Sequence, residues 1–346
     1  MSVKLLTRKS LMKVVQGAKG LGASLADLLG FTEKVWGTSS IDVHEVEGRL
    51  GLASYANSKG EAVLVERDGH ILETITPPLI AEEREIDPAI LEEVFAGTHQ
   101  YEDVDPLVYK AQLLQEDGDF LMGRVERRRE QMIARGIQDG QIVVTGRGVN
   151  TTIDLRIPSG NKKTLLTTAR WGEEGVSPIA NLRTWSNELA ETGRKRPTIA
   201  LMDSSAYGHL RADPDFREIF DNRRIISGNI DPKWLDDDLV YMGDLIDESL
   251  NLKIYVHHGF YEVKDANGDV TVTPYIDANR VILANNRATS IIHYAWMKDD
   301  RAPRLAKYFM STYEKNTSTH KTFLFLKSAP LPIPHEPKTI MSIKVR

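Results

Sequence analysis

The spacing of apolar positions divides the chain into helical stripes and short strand-like runs. Leu5, Leu6, Leu11, Met12, Val14 and Val15 could stripe one short helix, but Gly17, Gly20 and Gly22 then break it. Residues 1–35 therefore read either as an arm that must bury its apolar residues elsewhere or as a mobile terminus. From residue 36 to 80 the text becomes strand-like, in the pieces IDVHEVEG, RLGLASYA, EAVLVERDG and HILETIT, with the polar ANSKGE stretch as a hairpin tip. Leu50, Leu52, Val63 and Val65 on one side of that hairpin supply too little apolar surface for a free-standing ribbon. It is expected to lie against something larger.

Thr76-Pro77-Pro78 ends the pairing and leads into a charged stretch, AEEREIDPAILEEVF, with a helix start at Asp87-Pro88. Asp105-Pro106 repeats that signal and opens PLVYKAQLLQE. Gly118 predicts a break before a second helix over 119–138, whose buried stripe is Leu121, Val125, Met132 and Ile133. Strands QIVVTG and NTTIDLRIP follow, joined around Arg147-Gly148, and Ser177-Pro178 caps the helix IANLRTWSNELAE. Next come strand PTIALMD, helix SAYGHLRADPDFREIFDN, a helix or turn over 239–247, and strands NLKIYVHHGFYEV, VTVTPYI and NRVILAN. The last segment, KTFLFLKSAPLPIPHEPKTIMSIKVR, reads as a buried strand, a proline-rich turn and a final alternation of Met341, Ile343 and Val345. That closing strand is expected to pair near residues 141–157, leaving 175–320 as an insertion in a discontinuous domain. The class is α+β.

Composition narrows the function. Over 346 residues, 41% hydrophobic and 27% charged residues describe a folded protein and exclude rods and wholesale disorder. Forty-four Lys plus Arg against 49 Asp plus Glu leave a net charge of -5, so no global positive field draws the chain onto nucleic acid. With no cysteine, disulfides, thiolate nucleophiles and Cys-ligated metal sites are excluded. Lys4, Arg8, Lys9, Lys13 and Lys19 interrupt any signal-peptide core, and no stretch reads as a membrane span. A cytoplasmic protein is expected.

Candidate chemistry is thin. Asp265-Ala266-Asn267-Gly268-Asp269 opens like a calcium loop, but Ile276 stands where the bidentate glutamate belongs, and an Asn-Gly hairpin turn is the stronger reading. His257 and His258 are neighbours on a strand and point to opposite faces. Asp236, Asp237 and Asp238 lack a second ligand cluster. Gly17 to Gly22 lacks phosphate-loop spacing, and Ser204 and Ser205 lack a nucleophile elbow and read as a helix cap. The run from Glu126 to Glu130, with Arg127 and Arg128 inside it, reads as a solvated or subunit-bridging ion-pair surface. No catalytic, cofactor-binding or metal-ligating residue is assigned, and no cofactor is expected.

Three segments carry a resemblance: FLFLKSAPLPIPHEPKTIMSIKV, then YVHHGFYEVKDANGDVTVTPYIDANRVILAN, then DPLVYKAQLLQEDGDFLMGRVERRREQMIARGIQDGQIVVTGRG, with Trp171 before an inserted helix. Together they resemble the lambda-type phage major capsid protein family, major capsid protein E. The resemblance implies an HK-97-like phage capsid fold: an N-terminal arm (1–35), an extended β-hairpin loop (36–80), a peripheral domain with a spine helix (81–174), an axial domain (175–320) and a C-terminal return to the peripheral domain (321–346). It implies a non-enzymatic subunit that self-assembles, as hexamers and pentamers, into the icosahedral head enclosing the double-stranded DNA of a tailed phage or prophage. Assembly in the host bacterial cytoplasm, and a decoration protein, a portal and a scaffold or maturation protease as partners, follow from the same likeness. DNA would be enclosed without sequence-specific binding, and no membrane is involved. The inter-subunit contacts expected are Leu50, Leu52, Lys59, Val63, Val65, Arg127 and Arg128. Some shells of this fold form Lys–Asn isopeptide links, for which Lys59 at the hairpin tip is suitably placed, but the lambda-type group implies decoration and noncovalent contacts instead. The alternatives are a tail-tube or decoration subunit or, from another class, a cytosolic α+β hydrolase built on Asp203, Asp236 and His257.

Overall fold

The computed structural model describes residues 24–45, 71–86, 106–146, 148–218, 232–247, 249–264, 269–315 and 321–346. The described residues open on a one-turn helix α1 (Leu25–Leu28), then β1 (Phe31–Val35), β2 (Ile41–Glu45), β3 (Ile71–Ile75) and β4 (Ile80–Ile86). The long helix α2 (Pro106–Asp139) leads to β5 (Gln141–Gly146), β6 (Val149–Asp154) and β7 (Lys162–Thr164). Helix α3 (Pro178–Gly193), β8 (Ile199–Met202), helix α4 (Ser204–Ala212), β9 (Lys233–Trp234), β10 (Leu239–Ile246), β11 (Asn251–His257), β12 (Phe260–Lys264) and β13 (Val270–Pro274) come next. The last strands are β14 (Arg280–Ala284), β15 (Ser290–Tyr294), β16 (Tyr308–Lys315), β17 (Lys321–Ser328), β18 (Pro330–Pro334) and β19 (Met341–Lys344).

The continuously apolar strands are those covered on both faces. A seven-stranded sheet runs β7-β19-β14-β8-β11-β10-β9. Along β8, Ile199 and Leu201 face a core shared with α2, while Ala200 and Met202 face the core under α3; on β14, Ile282 and Ala284 divide from Val281 and Leu283 in the same way. Ser177 caps α3 by accepting the Ala180 N–H, with Pro178 in the first turn. Trp171, fully buried beneath that helix, stacks on Trp185 at 6.0 Å.

The closing strand does not pair with residues 141–157. Instead β19 lies between β14, antiparallel, and β7, parallel, whereas β5 and β6 form a separate two-stranded ribbon. Buried Met341 and Ile343 find their apolar cover beside β14 and α3; the exposed face of the β5–β6 ribbon has none to offer. Gly118 does not break the spine: α2 is one 34-residue helix, about 50 Å long at 1.5 Å per residue. The predicted stripe Leu121, Val125, Met132 and Ile133 is buried, its N-terminal part against Met310, Leu324 and Leu326 and its C-terminal part in the central core.

Other differences are local. Residues 239–246 are a strand with a bulge between Tyr241 and Gly243, not a helix or turn. The charged residues 80–86 are an edge strand on β17, where alternate acids can face water. The proline-rich turn is the buried strand β18, at the edge of the sheet β1-β15-β18. Pro330, Pro332 and Pro334 alternate, leaving Leu331 and Ile333 to donate to β15. Strands β15 and β16 have no counterpart in the sequence reading. The later part of the arm is not free of its own subunit either, since Leu25, Ala26 and Leu29 are buried in the core that contains Met132 and Ile133.

Candidate assembly surface

Strands β12 and β13 form an isolated two-stranded ribbon, with Glu262 opposite Val272 and Lys264 opposite Val270. Side chains alternate across it, so Phe260, Val270 and Val272 share one face and Val263 lies on the other. Phe260 is 60% exposed, Val270 56% and Val272 61%, and Val263 is also exposed. Single exposed hydrophobics are ordinary, but three on one face of a two-stranded ribbon, with Val263 beyond the core-packed Tyr261 on the other, leave apolar side chains of both faces in water. At its root, Gly259 packs against Asp238 and His257. The nearby Trp234, 62% exposed on the sheet-edge strand β9, stacks on His258 at 5.8 Å. Leu235 is exposed beside it. Asp238 is pushed above the ordinary carboxylate value, first by burial and then by Asp236 and Asp237.

The charged run on α2 divides in two. Arg127 and Arg128 are exposed, but Glu126, Arg129 and Glu130 are not a solvated surface. Arg129 meets Glu126 at 2.6 Å and Glu33 at 3.4 Å, the Tyr294 hydroxyl donates to Glu33 at 3.1 Å, and Tyr308 donates to Glu126. Glu130 accepts the Leu25 N–H at 2.9 Å, so this cluster clips α1 and β1 to the spine. Burial opposes the Arg129 charge, yet Glu126 and the two tyrosines hold its pKa above the arginine range; burial pushes Tyr294 up to about 12. The alternation of acids at helical spacing signalled ion pairs. Which face they occupy depends on Glu33 and Tyr294, far away in sequence.

The hydrolase set is committed to structure. Asp203 caps α4, accepting the N–H groups of Ser205 at 2.8 Å and Ala206 at 3.1 Å, and takes the Arg280 N–H at 3.2 Å. Nδ1 of His257 accepts the Gly259 N–H at 3.0 Å, and burial, with His258 adding to it, lowers its pKa to about 4. Asp236 sits in the tight turn closed by Leu239. Among the described residues no group of three His, Asp or Glu is gathered to hold a metal, and no helix is long and apolar enough to cross a membrane. Leu50, Leu52, Lys59, Val63 and Val65, the glycine run at 17–22 and residues 265–268 lie outside the described residues. The strands leading to the first five, β2 and β3, pair antiparallel from Ile41 opposite Ile75 to Glu45 opposite Ile71.

The family model for phage major capsid protein E matches residues 7–345. The chain belongs to that family. This major capsid protein is a subunit of the phage head shell, self-assembling into the capsid of the virion. Its fold is HK-97-like. A protein described as a prophage capsid protein from E. coli CFT073 superposes with a TM-score of 0.70 at 17% identity, over 99% of this chain and 100% of that one. A phage-related protein from Bordetella bronchiseptica RB50 gives 0.52 at 11%, over 99% and 98%. The capsid of cyanophage P-SCSP1u gives 0.50 at 13%, over 94% and 89%. No curated protein sequence matches significantly.

Proposed function

We propose that this capsid protein closes into an icosahedral shell around double-stranded DNA by burying its β12–β13 ribbon, and the neighbouring Trp234 and Leu235, on sibling copies. The observation that carries this is the ribbon itself, whose valines and Phe260 stay exposed on both faces of a two-stranded element that is marginal alone. Repetition of one such contact through a closed symmetry gives the hexamers and pentamers of a shell. The division into arm, extended loop, peripheral and axial domains is kept, with two adjustments. The arm from Ser24 onward packs on its own subunit, and β19 belongs with the axial sheet. Arg127 and Arg128, exposed on the spine, remain proposed contacts, as do Leu50, Leu52, Lys59, Val63 and Val65. Decoration protein, portal and scaffold or maturation protease are proposed partners, with assembly in the bacterial cytoplasm. The net charge of -5 suits a lining that encloses DNA without holding it. The subunit is building material rather than an enzyme, in keeping with the structural duties of Asp203 and His257.

The test is the double substitution Val270→Asp with Val272→Asp. Circular dichroism should show folded subunits, and electron microscopy should show no closed shells. Normal shells from this variant would remove the ribbon from the assembly surface.

A further inference from the structure

Trp36 follows β1 and donates its indole N–H to Nδ1 of His293 on β15 at 2.9 Å. On the other side of that ring, Nε2 of His293 lies 3.1 Å from Nε2 of His335, which follows β18. An indole nitrogen can only donate. Nδ1 of His293 therefore carries no proton, its Nε2 does, and that proton is given to a bare Nε2 on His335. The chain of bonds exists only while both imidazoles are neutral. It runs along the sheet β1-β15-β18, from Trp36 at the Tyr294 end of β15 to His335 at the Thr289 end, and both histidines are buried.

We propose that this indole–imidazole–imidazole chain is an acid-released latch that fastens β1, and through it the approach to the β2–β3 hairpin, to β15 and β18. A proton on His335 sets N–H against N–H, and a proton on Nδ1 of His293 displaces the Trp36 bond. Other charges reinforce this. From β1 the Lys34 ammonium lies 4.0 Å from the Trp36 ring centroid, and from the β18 side Glu336 is already occupied by Lys195 and the Thr289 N–H. Glu33, Arg129, Tyr294, Tyr308, Lys307, Glu126 and Glu130 form the separate cluster around the Tyr294 side chain, next to His293 on β15 and so on the opposite face. Burial first, then His335 and Lys34, lowers the His293 pKa to about 4. In an opened latch the ring would titrate near its ordinary value of about 6.5. The closed state thus loses stability as pH falls through about 6.5, with opening favoured about tenfold more per pH unit until about 4. Any use of this release in a shell rests on the shell reading, so the test uses unassembled subunits and its failure leaves that reading intact.

Amide hydrogen exchange, corrected for intrinsic rates, is followed by mass spectrometry from about pH 7.5 to about pH 4, spanning the ordinary histidine range. Exchange at the imidazole C2–H of the same samples titrates each histidine. Peptides over residues 31–36 should lose protection as His293 protonates, while β8 and β14 stay protected. The double variant His293→Gln with His335→Gln can keep the bond chain through its amides without titrating, and should keep β1 protected throughout. If β1 stays closed in the wild type as His293 protonates, or opens at a pH unrelated to that protonation, the latch is overturned. The same holds if the folded double variant opens as the wild type does, which would assign the effect to the Glu33 cluster. Should the double variant not fold, coincidence or mismatch of the two wild-type titrations decides.

Discussion

Gly30 and Gly148 both adopt the left-handed region, at φ 70° and 78°. A β-carbon at Gly30 would sit 2.3 Å from the Asn286 carbonyl oxygen, whereas one at Gly148 would meet nothing within 4 Å. The left-handed backbone costs an alanine about 1 kcal/mol at either position. At Gly30 the backbone of residue 286 must also move, which overpacking experience sets at about 1–3 kcal/mol more. Gly30→Ala should therefore lower the urea midpoint of unassembled subunits clearly more than Gly148→Ala; equal midpoints would contradict the close approach of the chain after α1 to the loop after β14. Leu25 and Leu29, just before Gly30, are buried on their own subunit. Nothing near Gly30 in sequence announces the contact.

At the scale of elements, two glycines inside α2 make opposite predictions. The added methyl of Gly123→Ala would touch the Arg127 guanidinium at an ordinary 3.5 Å, so the helix gains up to about 1 kcal/mol. In Gly136→Ala it would press on Leu155 at 2.7 Å and Ile142 at 3.4 Å, which offsets that gain. Thermal unfolding of the two variants should show a higher midpoint for the first and none for the second. These glycines also show how much of the fold was legible. The stripe Leu121, Val125, Met132 and Ile133 named the buried face of the spine correctly, but Gly118 was read as a break, because propensity says nothing of the β-strands that hold the helix straight. Apolar runs such as 199–202 and 280–284 declared themselves as strands. Strand β18 did not, since alternate prolines read as a turn until β15 supplies a partner for the residues between them. Of the assembly surface, the valine-rich strand β13 was visible, but its exposure on both faces is a property of the folded subunit alone.

For the whole molecule, folding and assembly should separate. Ile343 is fully buried in the core under α3, and Ile343→Ala is expected to cost about 2–5 kcal/mol, reducing the soluble yield and the unfolding midpoint of the subunit. The ribbon substitutions at residues 270 and 272 should leave that midpoint unchanged and abolish shells. If Ile343→Ala subunits were as stable as wild type, β19 would not be integral to the sheet. The position of that strand has a consequence during synthesis. Residues 341–344 fill a slot between two strands made earlier, β14 and β7. A ribosome has to deliver residue 344 before the sheet is whole, so this core closes only as synthesis reaches its last strand.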